Sequence, residues 1–403
     1  MRLLEDSIHV CFSIRDRDGK YSKYAGAAIA SLLRKTRERV TVHLFHDDTI
    51  AGERLGRFQR LVHDYGQKIV CYRIDAEKEF GHLRYMSILK NVSLGTMFRL
   101  KIPELLPSNV EKLLYLDADT LTNLDVQELW NIPFDGALMI GRQDKTNEFF
   151  QTYRLFTEGH MSFRGYVNAG VLLLDLAGIR REHRLLEESM QYFEAYPDTG
   201  FADMDALNYV LRGRTKTIDE KYNTFTVDYR GKQEPLRSAI YHFAGDYVHA
   251  ASQESFERLF WEVVEMTPWK NEVPAYFIAE VQHLENAYRW MRHCFFRMNG
   301  RKIVFWGAGS VMRKTLMVHM KMSLEQSYFV DNNPELWGET LDGIDVCSPD
   351  ALKKEAKGTF FVIVMSKRHY ADIRNELMCM GLEEDEDFIN ADCLALRDEN
   401  PPY

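Results

Sequence analysis

Two aspartates one residue apart, Asp117 and Asp119, directly follow the apolar run Lys112-Leu113-Leu114-Tyr115-Leu116. Side chains two apart on an extended chain point the same way, so both carboxylates can project to one side of the strand end. Two oxygen ligands placed like this suit Mg²⁺ or Mn²⁺, which keep coordination positions open for phosphate oxygens. Such a cation offsets the charge that builds on a diphosphate as its bond to carbon breaks. By itself an Asp-x-Asp pair is more often a solvated turn, so its company decides the reading.

A second candidate for phosphate chemistry starts at Lys302. The run Lys302-Ile303-Val304-Phe305-Trp306 leads into Gly307-Ala308-Gly309-Ser310, and Tyr328-Phe329-Val330 ends in Asp331. This is the layout of a first βαβ unit, with glycines for phosphate at a helix N-terminus and an acid for ribose. Arg313 occupies the region of the third expected glycine, and no Tyr-x-x-x-Lys pair is present. The motif therefore predicts a Rossmann-like fold rather than a working redox site.

The elements that must position these groups alternate. Strands are expected over Ile8–Ile14, Val40–Phe45 and Lys68–Ile74, with helices over about Lys23–Lys35 and Glu53–Tyr65. Alternation of this kind predicts a parallel sheet covered on both faces, with ligands beyond the carboxyl ends of its strands. A further apolar run, Gly170 to Leu176, follows Tyr166-Val167-Asn168-Ala169. The stretch 251–301 reads as helices interrupted by Pro268 and Pro274, and a new α/β unit begins at Lys302. The expected division is a first domain over 1–250, a helical linker over 251–301 and a smaller domain over 302–403.

With 403 residues, 45% apolar and 28% charged, the composition is that of a soluble globular protein of two domains. The net charge of −9 gives a nucleic-acid partner no support. No apolar run is long enough to span a membrane, and MRLLEDSIHV lacks the apolar stretch of a signal peptide. Six scattered cysteines without a CxxC pair fit a reducing compartment, and the expected location is cytoplasmic. Arg289, Trp290, Arg292, Phe295, Phe296, Arg297, Arg301 and Lys302 mix basic and aromatic side chains. They are read first as a connecting segment and second as a peripheral contact with the inner membrane face.

Seven segments give the Asp-x-Asp pair its company. In order they are Tyr24-Ala25-Gly26-Ala27-Ala28-Ile29-Ala30-Ser31-Leu32-Leu33, Thr96-Met97-Phe98-Arg99-Leu100, Ile102-Pro103-Glu104-Leu105-Leu106-Pro107, YLDADT at 115–120, YVNAGVLLLDL at 166–176, DMDALN at 203–208 and HFAG at 242–245. From about Ile8 to Gly245 the chain resembles glycosyltransferase family 8, which includes glycogenin and the bacterial lipopolysaccharide glucosyl- and galactosyltransferases. The resemblance implies a nucleotide-sugar-binding domain of the GT-A type. It also implies a Mn²⁺ (or Mg²⁺) cofactor, a UDP-sugar donor and retaining transfer of a hexose. The acceptor would be a saccharide or lipid-linked saccharide in surface-polysaccharide or lipopolysaccharide assembly.

Carried over by position, Asp117, Asp119 and His242 are the metal ligands. Arg99 falls near the donor sugar and the metal carboxylates, Asn168 and Ala169 line the sugar, and Asp203 and Asp205 match the family's acidic pair. Ser13, Asp18 and Tyr21 fall near the uridine pocket, and Gly245 and His249 near the diphosphate. The competing reading of Asp203 is a helix N-cap. Two positions depart from the pattern. Met204 stands where the family has Gln, and Asp246-Tyr247-Val248-His249 replaces the usual Lys-Pro-Trp after HFAG. A thioether cannot act as the amide oxygen would, which argues against a covalent step through residue 204. The alternatives are a glycoside hydrolase, which needs no metal, and a sugar-nucleotide-binding scaffold without turnover.

Overall fold

The computed structural model describes residues 7–17, 19, 21–86, 93–144, 154–232, 234–245, 248, 254–274, 277–278, 282, 296–298, 300–308, 327–341, 343–366 and 369–391. Asp18, His249, Arg289, Trp290, Arg292, Phe295, Gly309, Ser310 and Arg313 lie outside these residues. The chain divides into two compact units, Met1–Phe277 and Ile278–Pro402.

The first unit is built on a seven-stranded sheet. In chain order its strands are β1 (Ile8–Ile14), β2 (Val40–His46), β3 (Lys68–Arg73), β4 (Lys112–Leu116), β6 (Met139–Gln143), β7 (Val167–Asp175) and β8 (Thr215–Ile218). Their order across the sheet is β3-β2-β1-β4-β7-β6-β8. Strands β1 to β4 run parallel, as the alternation predicts. The all-parallel expectation then fails, because β7 is antiparallel to both β4 and β6. That reversal matters for function. It brings the amino end of β7 beside the carboxyl ends of β4 and β6, so Gly170 meets the Asp117 turn.

Strand β1 is buried along its whole length. Its alternate side chains feed two cores: Val10, Phe12 and Ile14 on one face, Cys11 on the other. Helix α1 (Ser22–Lys35) is buried from Ser22 to Leu33. Small residues allow this close packing: a Cβ on Gly26 would lie 2.5 Å from the ring of Trp269, itself fully buried. A small second sheet of β5 (Thr120–Thr122), β10 (Ile240–His242) and β9 (Thr224–Phe225) completes the site end, with His242 opposite Thr120.

The second unit carries a six-stranded sheet. Its strands are β11 (Lys302–Trp306), β12 (Tyr328–Val330), β13 (Thr340–Leu341), β14 (Ile344–Cys347), β15 (Phe360–Val364) and β16 (Phe388–Asn390). The order is β13-β14-β12-β11-β15-β16, parallel except for the β13–β14 hairpin. Stepping outward from β11 in both directions is the order of a doubly wound sheet. Asp331, at the end of β12, accepts from Ala308 N at 2.7 Å and Asn333 N at 2.8 Å. Its carboxylate therefore ties the glycine turn to the next loop. Of the mixed basic and aromatic stretch, Phe296 is 77% exposed, whereas the three described basic side chains have acidic partners. Arg297 pairs with Glu386, Arg301 with Asp387 at 3.4 Å and Lys302 with Glu355 at 2.6 Å.

Among the described residues no helix is long and apolar enough to cross a membrane, and Cys11, Cys71, Cys347 and Cys379 are free thiols.

Candidate active site and metal centre

Where β4 ends, Asp117 N donates to Gly170 O at 2.8 Å, which locks the aspartate turn against β7. His242 arrives from β10. Its Nε2 lies 3.4 Å from Asp119 Oδ1 and 3.8 Å from Asp117 Oδ2. Ligand atoms of all three residues lie within 4.8 Å of one another. Burial alone would lower the pKa of His242, but the Asp119 and Asp117 carboxylates together raise it above its ordinary value. The reverse holds for Asp119: burial would raise its pKa, and His242 brings it down. The imidazole fits only because residue 170 has no side chain. A Cβ there would stand 2.1 Å from His242 Cε1, far inside contact distance. Gly170→Ala should therefore displace His242 and weaken Mn²⁺ affinity at least about tenfold while the fold persists. Titration of the variant with Mn²⁺ checks this, and unchanged affinity would refute it.

Arg99 forms the floor of the site. It is 5% exposed, and its guanidinium reaches four partners: Asp117 Oδ1 at 2.7 Å, Ala169 O at 2.6 Å, Asp203 Oδ2 at 2.9 Å and Thr96 O at 3.1 Å. The guanidinium also lies 4.5 Å from the centre of the Tyr115 ring, and Tyr115 itself donates to Asp117 Oδ1 at 2.9 Å. Burial opposes the Arg99 charge, but Asp117 and Asp203 more than compensate and hold it protonated.

The two acids at the start of α2 (Asp203–Val210) have different fates. Asp203 is the first helical residue rather than the N-cap, which is Ala202 in a left-handed conformation with φ +46°. Its carboxylate faces Arg99. Asp205 is fully buried, and both of its oxygens are engaged elsewhere. Oδ1 accepts from Tyr166 Oη, and Oδ2 accepts from Thr199 Oγ1, Gly200 N and Phe201 N. It secures the loop before the helix rather than facing a substrate.

Burial, stronger than the pull of Arg99, lifts the Asp203 carboxyl to about 6. A raised carboxylate pKa means that the folded state binds more protons than the unfolded one. This group's contribution to stability is thus full below the usual carboxylate range and lost as pH rises through about 6. Activity should move the other way, because only the ionised carboxylate holds Arg99. At saturating metal, kcat/KM should show an acid limb near pH 6 that is absent in Asp203→Asn. Persistence of the limb in that variant would remove Asp203 from the argument.

Asn168 sits between these groups. Its Oδ1 accepts from Gly170 N at 2.9 Å, and its Nδ2 donates to Asp144 Oδ2 at 3.0 Å and approaches Met204 Sδ at 3.7 Å. The arrangement amounts to a convergent carboxylate–imidazole set, a buried arginine and a polar floor at the carboxyl edge of an α/β sheet.

The family model described as glycosyl transferase family 8 matches residues 14–248, more than half of the chain. The chain belongs to glycosyl transferase family 8. A Haemophilus influenzae chain named as a glycosyltransferase is 28% identical over 52% of this chain and 62% of its own length. The lipopolysaccharide 1,3-galactosyltransferase of Salmonella typhimurium is 25% identical over 66% of this chain and 80% of its own length. The crystal structure of galactosyltransferase LgtC with donor and acceptor sugar analogs superposes at a TM-score of 0.56 and 20% identity. That superposition covers 66% of this chain and 100% of that one, and carries the GT-A-like fold alone. Residues 299–387 match a second model, described as C2185-like, N-terminal. Family membership makes the protein a glycosyl transferase.

Next to the carboxylates of this transferase lies a cavity of about 330 Å³, lined among others by Ser13, Arg15, Tyr21, Thr96, Asp117 and Asp119. Ser13 and Tyr21, read from the sequence, line it. Burial and the nearby Asp119 and Asp117 push the Tyr21 phenol well above its usual pKa. Asp18 and His249 lie outside the described residues. Gly245 is exposed with φ +64°, and Ala169 contributes its carbonyl to Arg99. Sequence reasoning missed Arg15, which lines the cavity and is held by Asp47 Oδ2 at 2.7 Å and Glu77 Oε1 at 2.7 Å. It also missed Tyr115, Asp144 and Asn223. Asp144 could have been found as the first acid after the apolar run of β6. Asn223 carries no such signal.

Proposed function

We propose that this transferase moves a hexose from a UDP-sugar to a saccharide hydroxyl, with retention at the anomeric carbon and a divalent cation held by Asp117, Asp119 and His242. The observation that carries the reading is the convergence of those three side chains beside the cavity. Two carboxylates and one imidazole suit Mn²⁺ or Mg²⁺. The imidazole is prepared for that role, since its Nδ1 is taken up by Asn223 Oδ1 at 2.9 Å and its Nε2 faces the carboxylates. When bound, the cation supplies positive charge against a diphosphate leaving group.

The chain's own residues do the rest. Arg99 fixes Asp117 and Asp203 in one rigid unit, and Asn168 is oriented by Gly170 and Asp144. Met204 is 8% exposed and sits against Asn168. A thioether there offers no covalent route, so retention is expected without an intermediate on residue 204. The proposed setting is surface-polysaccharide or lipopolysaccharide assembly, on the strength of the Salmonella typhimurium relative. The unit from Lys302 onward is read as a non-redox docking unit, in keeping with the structural use of the Asp331 carboxylate.

A panel of nucleotide-sugars assayed for nucleotide release, with Mn²⁺ and after chelation, tests this reading. One UDP-hexose should be consumed only with metal, and proton NMR of the first-formed product should show the donor's anomeric configuration. Turnover that survives chelation would favour a hydrolase. UDP binding without turnover of any donor would favour a scaffold.

A further inference from the structure

Asn223 is fully buried, on no element that touches the cavity, yet its amide stands directly behind His242. Its main chain is fixed by Arg142, whose Nη1 donates to Asn223 O at 2.6 Å, and by Asn223 N donating to Glu220 O at 2.9 Å. The side chain joins two neighbours: Nδ2 donates to Asn168 Oδ1 at 2.9 Å, and Oδ1 lies 2.9 Å from His242 Nδ1.

The direction of every bond in this chain follows from its far end. Gly170 N is a backbone donor and can only be met by an oxygen, so Asn168 Oδ1 points to it. The Asp144 carboxylate independently requires Asn168 Nδ2 on the other side. With Asn168 Oδ1 so placed, Asn223 must turn its Nδ2 toward it. Asn223 Oδ1 is then left facing the imidazole, and an amide oxygen only accepts. His242 Nδ1 must therefore carry a proton, and in the neutral ring the lone pair falls on Nε2, which faces Asp117 and Asp119.

Without this relay the local charges favour the opposite tautomer. Asp119, 3.4 Å from Nε2, would attract a proton there. A ring protonated at Nε2 donates to the carboxylate and has no lone pair for a cation. From this geometry we infer that Asn223 is a positioning residue that selects the cation-binding tautomer of His242, with polarity set through Asn168 by the Gly170 amide. The inference rests on the proposed metal site for its purpose, and on the hydrogen-bond chain alone for its chemistry.

Two measurements on the full chain test it. The first is ¹⁵N NMR of metal-free protein labelled in histidine, recorded at a pH high enough for the His242 ring to be neutral, with its signal assigned through His242→Gln. The native signal should report the Nδ1–H tautomer, and Nε2–H would overturn the inference. The second is Mn²⁺ binding followed by electron paramagnetic resonance. Asn223→Leu should lose about 10–100-fold in affinity, the range found for partners of metal-bound histidine. Asn223→Asp keeps an acceptor for Nδ1–H and should retain more affinity than the leucine variant. Native affinity in Asn223→Leu would overturn the inference and leave the metal site standing. A native protein that takes up no Mn²⁺ would instead remove the metal reading, while the tautomer measurement would still decide what Asn223 does. If Asn223→Leu fails to fold, the native spectrum and Asn223→Asp suffice.

Discussion

Asp119→Asn should reduce turnover by about 10³-fold or more, because a Lewis-acid contribution of several kcal/mol depends on that ligand. The substitution keeps the size and shape of the side chain, and Asp119 is only partly buried, so the fold should be unaffected. The variant loses a negative charge that lies 3.4 Å from His242 Nε2, and with it one of three convergent ligands. Two measurements check it together: donor consumption, and calorimetric titration with Mn²⁺. Full activity of Asp119→Asn in metal-depleted buffer would remove the cation from the account.

Arg99→Met should be the most damaging single change to stability. It deletes the partner of two carboxylates in a buried site, and such losses cost about 3–5 kcal/mol because a charge is left unpaired. For a unit of this size that corresponds to a fall in Tm of roughly 10 °C. Arg99→Lys should recover only part of it, since one ammonium cannot span Asp117, Asp203 and Ala169 O as the guanidinium does. The diagnostic variant is Arg99→Met combined with Asp203→Asn. Removing the stranded carboxylate should restore part of the lost stability, a non-additive result that calorimetric scans can read. Strict additivity would mean that the pair seen between Arg99 Nε and Asp203 does not couple.

How far these groups could be read from the sequence depended on the element that carries each. The strand into Asp117-Ala118-Asp119 was legible because β4 is uniformly apolar and ends abruptly in charge. Helix α1 was legible for a similar reason, its small and apolar residues running almost unbroken. The direction of β7 was not, since periodicity is the same whichever way a strand runs, and only pairing with β4 reveals that Gly170 meets Asp117. Strands β5, β9 and β10 have two or three residues each, too few for a pattern. The meeting of His242 with Asn223 was therefore invisible, although the family resemblance pointed to His242 itself.

The acidic pair 203 and 205 shows a different limit. Residues two apart share a side on a strand, but on a helix they stand roughly 200° apart around the axis. Asp203 can thus face Arg99 only if Asp205 faces away, and Asp205 is spent on Tyr166, Thr199 and the loop amides. The same spacing that unites Asp117 and Asp119 separates these two.

The central claim is that Asp117, Asp119 and His242 together hold one divalent cation against a nucleotide diphosphate. Anomalous diffraction at the manganese edge, from crystals grown with Mn²⁺ and UDP, tests it most directly. One anomalous peak is expected within coordinating distance, about 2.0–2.3 Å, of a carboxylate oxygen from each aspartate and of His242 Nε2, with UDP phosphate oxygens completing the shell. UDP bound in the cavity with no peak between these three side chains would contradict it.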